Sequence, residues 1–194
     1  MQIAEVIRLG SRYSVAPTVF SFSGALDSSA CRCIENDLLG VDGWKKAAAH
    51  RYTDENMGYG IYDSAVRDVE IRRITDRAYF DVATLFRDLH SEVQKAYDIN
   101  FGQLSEMTAS FYQKGCHIRA HSDADTIDAA RLLTFVLMVS NRAVGGELYF
   151  PQFKYTHSFN DGELLMFPAE ATHQVSPITS GTRLSIIWFA ETEF

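Results

Sequence analysis

The sequence predicts a mainly β chain with helices in its N-terminal half, an α+β fold, on the basis of three observations. A helix with a recognisable N-cap comes first, a longer helical period follows it, and after residue 105 short apolar runs alternate with turn residues. Apolar residues recur about every 3.6 positions in helices and every 2 in strands, so a change of period marks a change of structure. At 194 residues the chain is long enough to bury a sizeable core.

The predicted helices lie in the first hundred residues. Residues 19–22 have the composition of a short strand, and Asp27 offers an N-cap to a helix with apolar positions at Ile34 and Leu38. Between 79 and 99, apolar residues that include Phe80 recur mainly every three or four positions, the period of an amphipathic helix. The tyrosine-rich stretch 52–63 between these helices fits either a surface loop or a substrate lid.

The second half of the chain is predicted to consist of short strands. They span residues 110–116, 132–140, 147–150, 162–167, 173–175 and 182–190, separated by glycine-bearing turns. Many short strands at close spacing are typical of a sandwich or barrel such as a jelly roll. We therefore expect one domain over residues 1–194, with helical and strand support to about 104 and a β core over about 105–194.

The composition is that of an ordinary soluble globular protein and disfavours several functions. With a formal charge of −7 and no run of Lys or Arg, the chain would repel a phosphate backbone, so we expect no nucleic-acid partner. It lacks a signal-peptide pattern and any apolar run near the roughly 18 residues of a membrane span, which predicts a cytoplasmic protein with no membrane partner. Cys31, Cys33 and Cys116 are expected to be reduced thiols.

The sharpest candidate site is the His-Ser-Asp triplet at residues 121–123. Side chains two residues apart on an extended chain project to the same side, so His121 and Asp123 could hold one metal ion together. Asp125 repeats the alternation and is a rival carboxylate ligand. Such a triplet is weak on its own and needs further ligands to define a metal site.

Downstream residues could complete that site. His157 and His173 are candidates for the third ligand of the two-histidine, one-carboxylate triad that binds Fe(II) and leaves coordination positions open. His173 is preferred because it begins a predicted strand. Arg183 and Ser185 alternate onto one face of the last strand. The planar fork of a buried arginine suits a carboxylate ligand, although an internal ion pair would also satisfy it.

These residues follow one another in the pattern of a known family. His121, Asp123, His173, Arg183 and Ser185 stand in the order HxD, then H, then RxS, on successive predicted strands. The local sequences of segments 112–115, 145–151 and 161–168 also match this family's pattern. Over about residues 105–190 the chain resembles the iron(II)- and 2-oxoglutarate-dependent oxygenases, in particular their prolyl-4-hydroxylase-like branch.

The resemblance implies a fold and a set of roles. The fold would be a double-stranded β-helix, a jelly-roll or cupin-like core with supporting helices. The implied catalytic metal ligands for Fe(II) are His121, Asp123 and His173. Arg183 would bind the distal carboxylate of 2-oxoglutarate, and Ser185 would add a hydrogen bond. Tyr112 and Thr134 are secondary candidates for the same co-substrate pocket.

The implied reaction is hydroxylation of an unactivated C–H bond with O2 and 2-oxoglutarate, which releases succinate and CO2. Asp123 disfavours halogenation, because halogenating relatives usually carry a small residue at this position. Desaturation, ring formation and epimerisation use the same ligands and stay open. A small molecule, such as an amino acid or a biosynthetic intermediate, is the preferred substrate, and a prolyl or other peptidyl residue is the alternative.

Two other classes of protein fit parts of the same pattern. A zinc hydrolase would use His117 and His121 with Asp123, a spacing that suits a helix, although Gly115 and its aromatic neighbours favour strand and turn. A metal-free jelly-roll binding module would leave Arg183 without an anion. Iron binding and dependence on 2-oxoglutarate distinguish the oxygenase from both.

Overall fold

The computed structural model describes residues 3–8, 18–50, 60–61, 63–101, 103–124 and 131–191. In these ranges the chain is mostly antiparallel β-structure with two α-helices, α1 (Ser28–Leu39) and α2 (Arg77–Tyr97), and a short 3-10 helix, Pro151–Phe153. Neither α-helix is long and apolar enough to cross a membrane. Most of the predicted loop 52–63, and Asp125, lie outside the described residues.

Most strands belong to two sheets. With strands numbered in chain order, the larger sheet contains β1 (Ala4–Arg8), β2 (Thr18–Phe22), β3 (Lys45–Lys46), β7 (Glu70–Arg73), β8 (Gln103–Leu104), β9 (Thr108–Tyr112), β11 (Arg131–Asn141), β14 (Leu164–Pro168) and β16 (Arg183–Glu191). Its order is β1-β2-β14-β11-β16-β9-β7-β3, with β8 beside β16.

The smaller sheet covers one face of the larger one. It contains β6 (Arg67–Asp68), β10 (His117–His121), β12 (Leu148–Phe150), β13 (Tyr155–His157) and β15 (His173–Val175), in the order β13-β12-β15-β10-β6. The short strands β4 (Ala49–His50) and β5 (Gly60–Ile61) pair with each other. Side chains from both sheets, such as Val136 and Leu148, form one apolar core between them.

A second core lies between the larger sheet and the helices. Here Trp188 stacks on Phe135, with ring centroids 5.2 Å apart, and Phe86 of α2 meets both rings edge-on. The buried Tyr97 hydroxyl at the end of α2 donates to the backbone carbonyls of Thr18 and Met166. The fold therefore has three layers, namely the helices, the larger sheet and the smaller sheet, and each of the two interfaces contains an apolar core.

The helix predictions hold in outline. Asp27 caps α1, and its carboxylate accepts the backbone N–H groups of Ser29 and Ala30 at 2.8 Å. The longer helix begins earlier than predicted and ends at Tyr97, because Asp98 adopts the left-handed conformation with φ of 53°. Phe80 does not join the buried face, since it is 67% exposed.

One strand prediction is wrong in a way that matters for the site. The predicted strand 110–116 ends at Tyr112, and a turn follows in which the Cys116 N–H donates to the Gln113 carbonyl. A separate strand, β10, then runs to His121. The strand predicted at 19–22 is confirmed as β2, whereas β6 and β7 were not predicted, although β7 extends the larger sheet and β6 extends the smaller one.

Candidate functional site

Three predicted ligand residues converge at the edge of the space between the sheets. His121 ends β10 and is paired across the sheet with His173, the first residue of β15. The Nε2 atoms of His121 and His173 lie 3.4 and 3.5 Å from the two oxygens of Asp123. The donor atoms of the three residues lie within 4.8 Å of one another. Two donors about 2.1 Å from one ion at right angles are about 3 Å apart, so this spacing suits a shared metal.

Backbone hydrogen bonds orient both imidazoles. The Nδ1 atom of His121 lies 2.9 Å from the Arg119 carbonyl, and that of His173 lies 2.9 Å from the Ala171 carbonyl. A carbonyl only accepts, so each Nδ1 carries the proton and each Nε2 presents its lone pair towards the cluster. This is how a metal-ligating histidine is usually held by its surroundings.

Asp123 is held by the bend that follows β10. Its backbone N–H and that of Ala124 both donate to the Ala169 carbonyl, at 2.9 and 3.0 Å. The buried Thr134 hydroxyl on β11 donates to the Asp123 carboxylate at 2.7 Å. Thr134, predicted to bind a co-substrate, therefore contacts the carboxylate of the cluster directly.

Burial and mutual contacts within the cluster determine the protonation states of Asp123 and His173. Burial raises the pKa of the Asp123 carboxyl, but the charge of His173 and the hydrogen bond with His121 outweigh it and hold this pKa well below its usual range. Burial lowers the pKa of His173 to about 4. At neutral pH the carboxylate is ionised and His173 is neutral, which are the states that bind a cation.

A cavity of about 350 Å³ adjoins the cluster, with walls from both sheets. Its volume is in the usual range for small-ligand pockets. From β16 the cavity receives Arg183, Ile187 and Phe189, and from the smaller sheet Leu148 and Val175, among others. The cluster and the predicted co-substrate residues therefore share one space.

Arg183 is the main cation of this cavity. It is 2% exposed, its guanidinium lies over the rings of Tyr112 and Phe159, and its Nη1 donates to the Gly146 carbonyl. Gly146 has φ of +78°, and a Cβ there would collide with Ile178, so glycine keeps the carbonyl close to the arginine. In the described part of the chain no carboxylate pairs with Arg183, so the internal ion pair considered from the sequence is not found there.

Several buried polar atoms of the cavity have no hydrogen-bond partner among the described residues. They include Arg183 Nε, Arg67 Nε and the Tyr112 and Ser110 hydroxyls. The Ser185 hydroxyl also lacks a partner, and it lies on the same face of β16 as Arg183. An unsatisfied buried polar group costs about 1–3 kcal/mol, so several in one cavity indicate a polar ligand. Ser110 was missed from the sequence, although it stands two residues before Tyr112 and shares its face of β9.

The other sequence candidates lie elsewhere. His157 is buried and engaged by the Tyr155 hydroxyl and the Glu163 carboxylate, each at 3.0 Å. His117 lies on strand β10 rather than on a helix, and its Nδ1 meets the Gly115 carbonyl. Neither histidine belongs to the described metal-ligand cluster. The zinc-hydrolase alternative needs a helix at residues 117–121, and this segment is a strand.

Residues 107–191 match the profile of the 2OG-Fe(II) oxygenase superfamily. Over this segment the chain is therefore similar to that superfamily. A PKHD-type hydroxylase of Idiomarina loihiensis is 30% identical over 94 residues, which cover 46% of this chain and 43% of the hydroxylase. The match thus spans less than half of the curated relative's length.

Solved structures of 2OG-Fe(II) oxygenases share the fold over nearly the whole chain. A viral collagen prolyl hydroxylase from Paramecium Bursaria Chlorella virus-1, solved with 2-oxoglutarate, aligns with a TM-score of 0.67 and 16% identity, covering 91% of this chain and 96% of that one. A Pseudomonas putida prolyl-4-hydroxylase aligns at 0.67 and 18%, covering 91% and 93%.

A third structure is a prolyl hydroxylase from Trichoplax adhaerens in complex with a hypoxia inducible factor peptide fragment. It aligns with a TM-score of 0.73 and 16% identity, covering 89% of this chain and 83% of that one. The fold is therefore the double-stranded β-helix of the 2OG-Fe(II) oxygenases, as the sequence predicted.

The superfamily uses Fe(II), 2-oxoglutarate and O2, and the cavity fits these groups. Two imidazoles and one carboxylate are the donor set of non-haem Fe(II) oxygenases. The unpartnered Arg183 Nε and the Tyr112 and Ser185 hydroxyls are suitable donors for a carboxylate. The chemistry of the site therefore agrees with the similarity of residues 107–191 to this superfamily.

Proposed function

We propose that this protein is an Fe(II)- and 2-oxoglutarate-dependent dioxygenase that hydroxylates an unactivated C–H bond and releases succinate and CO2. The observation that carries the proposal is the convergence of His121, Asp123 and His173 beside a cavity whose buried polar atoms lack partners. The superfamily of residues 107–191 supports it.

In this proposal the cluster holds iron through His121 Nε2, His173 Nε2 and the Asp123 carboxylate. Iron bound there supplies the activation of O2. The protein contributes fixed tautomers, through the carbonyls that accept from both Nδ1 atoms, and a fixed carboxylate, through the Thr134 hydroxyl. Three protein ligands leave the remaining coordination positions for co-substrate and O2.

Arg183 orients the co-substrate. Its guanidinium is positioned by Gly146 and by the Tyr112 ring, and its Nε is free to donate to the distal carboxylate of 2-oxoglutarate. The Tyr112 and Ser185 hydroxyls add donors in the same buried region. A charged pair in a water-poor cavity is stronger than one at the surface, so these groups select a diacid and set its direction.

The walls of the cavity are partly apolar and reduce the contact of the reacting groups with water. Val136, Leu148 and Ile187 present apolar surface to the cavity from both sheets. Exclusion of water strengthens the electrostatic contacts inside and limits side reactions. Chemistry on the substrate would therefore depend on which of its C–H bonds these walls hold next to the cluster.

The substrate we propose is a small molecule, such as an amino acid or a biosynthetic intermediate, and the small cavity of about 350 Å³ supports this choice. A prolyl or other peptidyl residue is the alternative. We further propose one domain over residues 1–194, supported by the pairing of β2, β6 and β7 with strands of the second half. A cytoplasmic location is part of the proposal, and the three free cysteines support it.

The test is an anaerobic titration of the apo-protein with Fe(II) and 2-oxoglutarate, followed in the visible spectrum. We expect the weak charge-transfer band of a keto acid chelated to ferrous iron. The Asp123→Ala variant should not form the band, whereas His117→Ala, which changes a histidine of the same strand outside the cluster, should form it. Absence of the band from the folded wild-type protein would refute the oxygenase proposal.

A further inference from the structure

The smaller sheet brings to the cavity a cation for which the proposed reaction has no role. Arg67 of β6 is paired with Ile118 of β10, Ile118 with Val175 of β15, and Val175 with Leu148 of β12. Directly paired residues of antiparallel strands project to the same face, so these four side chains form one row across the sheet. All four line the cavity.

The Arg67 guanidinium has no protein partner in the described part of the chain. Its Nε is buried without a hydrogen bond, although the residue as a whole is only half-buried. Asp68, the next residue, projects to the opposite face, where its carboxylate pairs with Lys46 Nζ at 2.7 Å. The nearest carboxylate in sequence therefore serves another cation.

The charge balance of the loaded site leaves Arg67 uncompensated. On the proposed function, the charges of Fe(II) and Arg183 are matched by Asp123 and the two carboxylates of 2-oxoglutarate. Among the described residues that line the cavity, Asp123 is the sole acid, whereas Arg67, Arg119 and Arg131 are additional cations. A guanidinium in a confined site favours an anion that can accept two hydrogen bonds.

We propose that Arg67 binds a carboxylate of the primary substrate, so that the enzyme acts on a free carboxylic acid rather than on an internal residue of a peptide. This inference rests on the proposed function and specifies the substrate class of the same site. The row that contains Arg67 also contains the apolar residues Ile118, Val175 and Leu148, which would contact the carbon skeleton beside the carboxylate. An internal prolyl residue, or any other peptide residue without a side-chain carboxylate, would have no negative charge to offer Arg67.

The test compares matched pairs of free amino and other carboxylic acids with their primary amides. The wild-type protein is loaded anaerobically with Fe(II) and 2-oxoglutarate, and each compound is titrated while the charge-transfer band is followed. Succinate release is then measured in air. We expect acids, and not their amides, to perturb the band and to stimulate succinate release.

Two Arg67 variants connect this preference to the side chain. Arg67→Met should raise the apparent dissociation constant of the active acid about 10- to 100-fold, the effect expected for a lost charged hydrogen bond. Arg67→Lys keeps the charge without the fork and should lose less. Arg73→Gln is the matched control, because Arg73 is exposed on β7 and pairs with Glu106 outside the cavity.

The outcomes separate this inference from the proposed function. If the band forms but amides act as well as acids, if no acid acts, or if Arg67→Met weakens acid and amide equally, the Arg67 assignment is wrong and the oxygenase proposal stands. If the wild-type band never forms, the oxygenase proposal fails and this inference fails with it.

Discussion

The two faces of the larger sheet are built from the same strands and have opposite characters. On β16, Leu184, Ile186 and Trp188 face the helices and belong to the apolar core, whereas Arg183 and Ile187 line the cavity and Ser185 shares their face of the strand. The helix face is mainly apolar, and the buried polar atoms without a partner on its described residues include the Trp188 indole N–H and Arg72 Nη1. The cavity face buries several polar atoms without partners. One face therefore stabilises the fold, and the other retains groups whose natural partner is a ligand.

The largest effect on activity should come from removing the Asp123 carboxylate on the cavity side. Asp123→Ala removes one of three proposed iron ligands, and we expect succinate release to fall about a thousandfold or more. Circular dichroism should show that the fold persists, because the helix-side core is untouched. Tight Fe(II) binding by this variant would instead move the carboxylate ligand to another residue, such as Asp125.

Substitutions on the helix face of the larger sheet should lower the stability of the fold rather than change the metal and co-substrate site. Trp188→Ala opens a cavity against Phe135 and Phe86, and we expect the free energy of unfolding to fall by about 3–5 kcal/mol in urea titrations. Phe80→Ala is the control on an exposed aromatic residue, with an expected change within about 0.5 kcal/mol. Equal losses for both would contradict the separation of buried and exposed aromatics.

Arg183→Met should weaken the binding of 2-oxoglutarate without lowering the stability of the fold. Loss of the guanidinium should raise the dissociation constant of 2-oxoglutarate about 10- to 100-fold while Fe(II) still binds. The free energy of unfolding should not fall, because an apolar side chain replaces a buried cation without a carboxylate partner. Unchanged affinity for 2-oxoglutarate would show that the co-substrate lies elsewhere.

The smallest effect on stability is expected at Glu163, a buried carboxylate that has hydrogen-bond partners within the protein. The Glu163 carboxylate lies within hydrogen-bonding distance of His157 and accepts the backbone N–H of Asn160, both at 3.0 Å. Burial raises its pKa, but these contacts outweigh burial and lower the pKa below 4.5. Its stabilisation is thus present above pH 4.5 and lost as the pH falls through the folded value.

Glu163→Gln should therefore cost about 1 kcal/mol at pH 7 and reduce the acid sensitivity of the fold. The measurement is the free energy of unfolding at several pH values between about 7 and 4. An identical pH dependence in the variant and the wild-type protein would show that Glu163 does not contribute to it.

The strands of the second half of the chain were predicted from the sequence more completely than those of the first half. In the second half, short apolar runs bounded by turn residues predicted the strands on which His173, Arg183 and Ser185 are found. In the first half, β3 and β6 have only two residues each, too few for any period to appear. For this reason Arg67 carried no signal in the sequence, although the structure places it in the cavity.

The sequence by itself determined the residue types and the order of the candidate site. Alternation along a strand already decides that Arg183 and Ser185 share a face, whereas Asp123 lies in the bend after β10 and meets His121 through that bend. The tertiary structure decided what depends on contacts between distant segments. It turned Thr134 towards Asp123, left the Tyr112 and Ser185 hydroxyls without partners, and brought Arg67 into the same cavity. Such contacts depend on the register of strands distant in sequence, which no local pattern encodes.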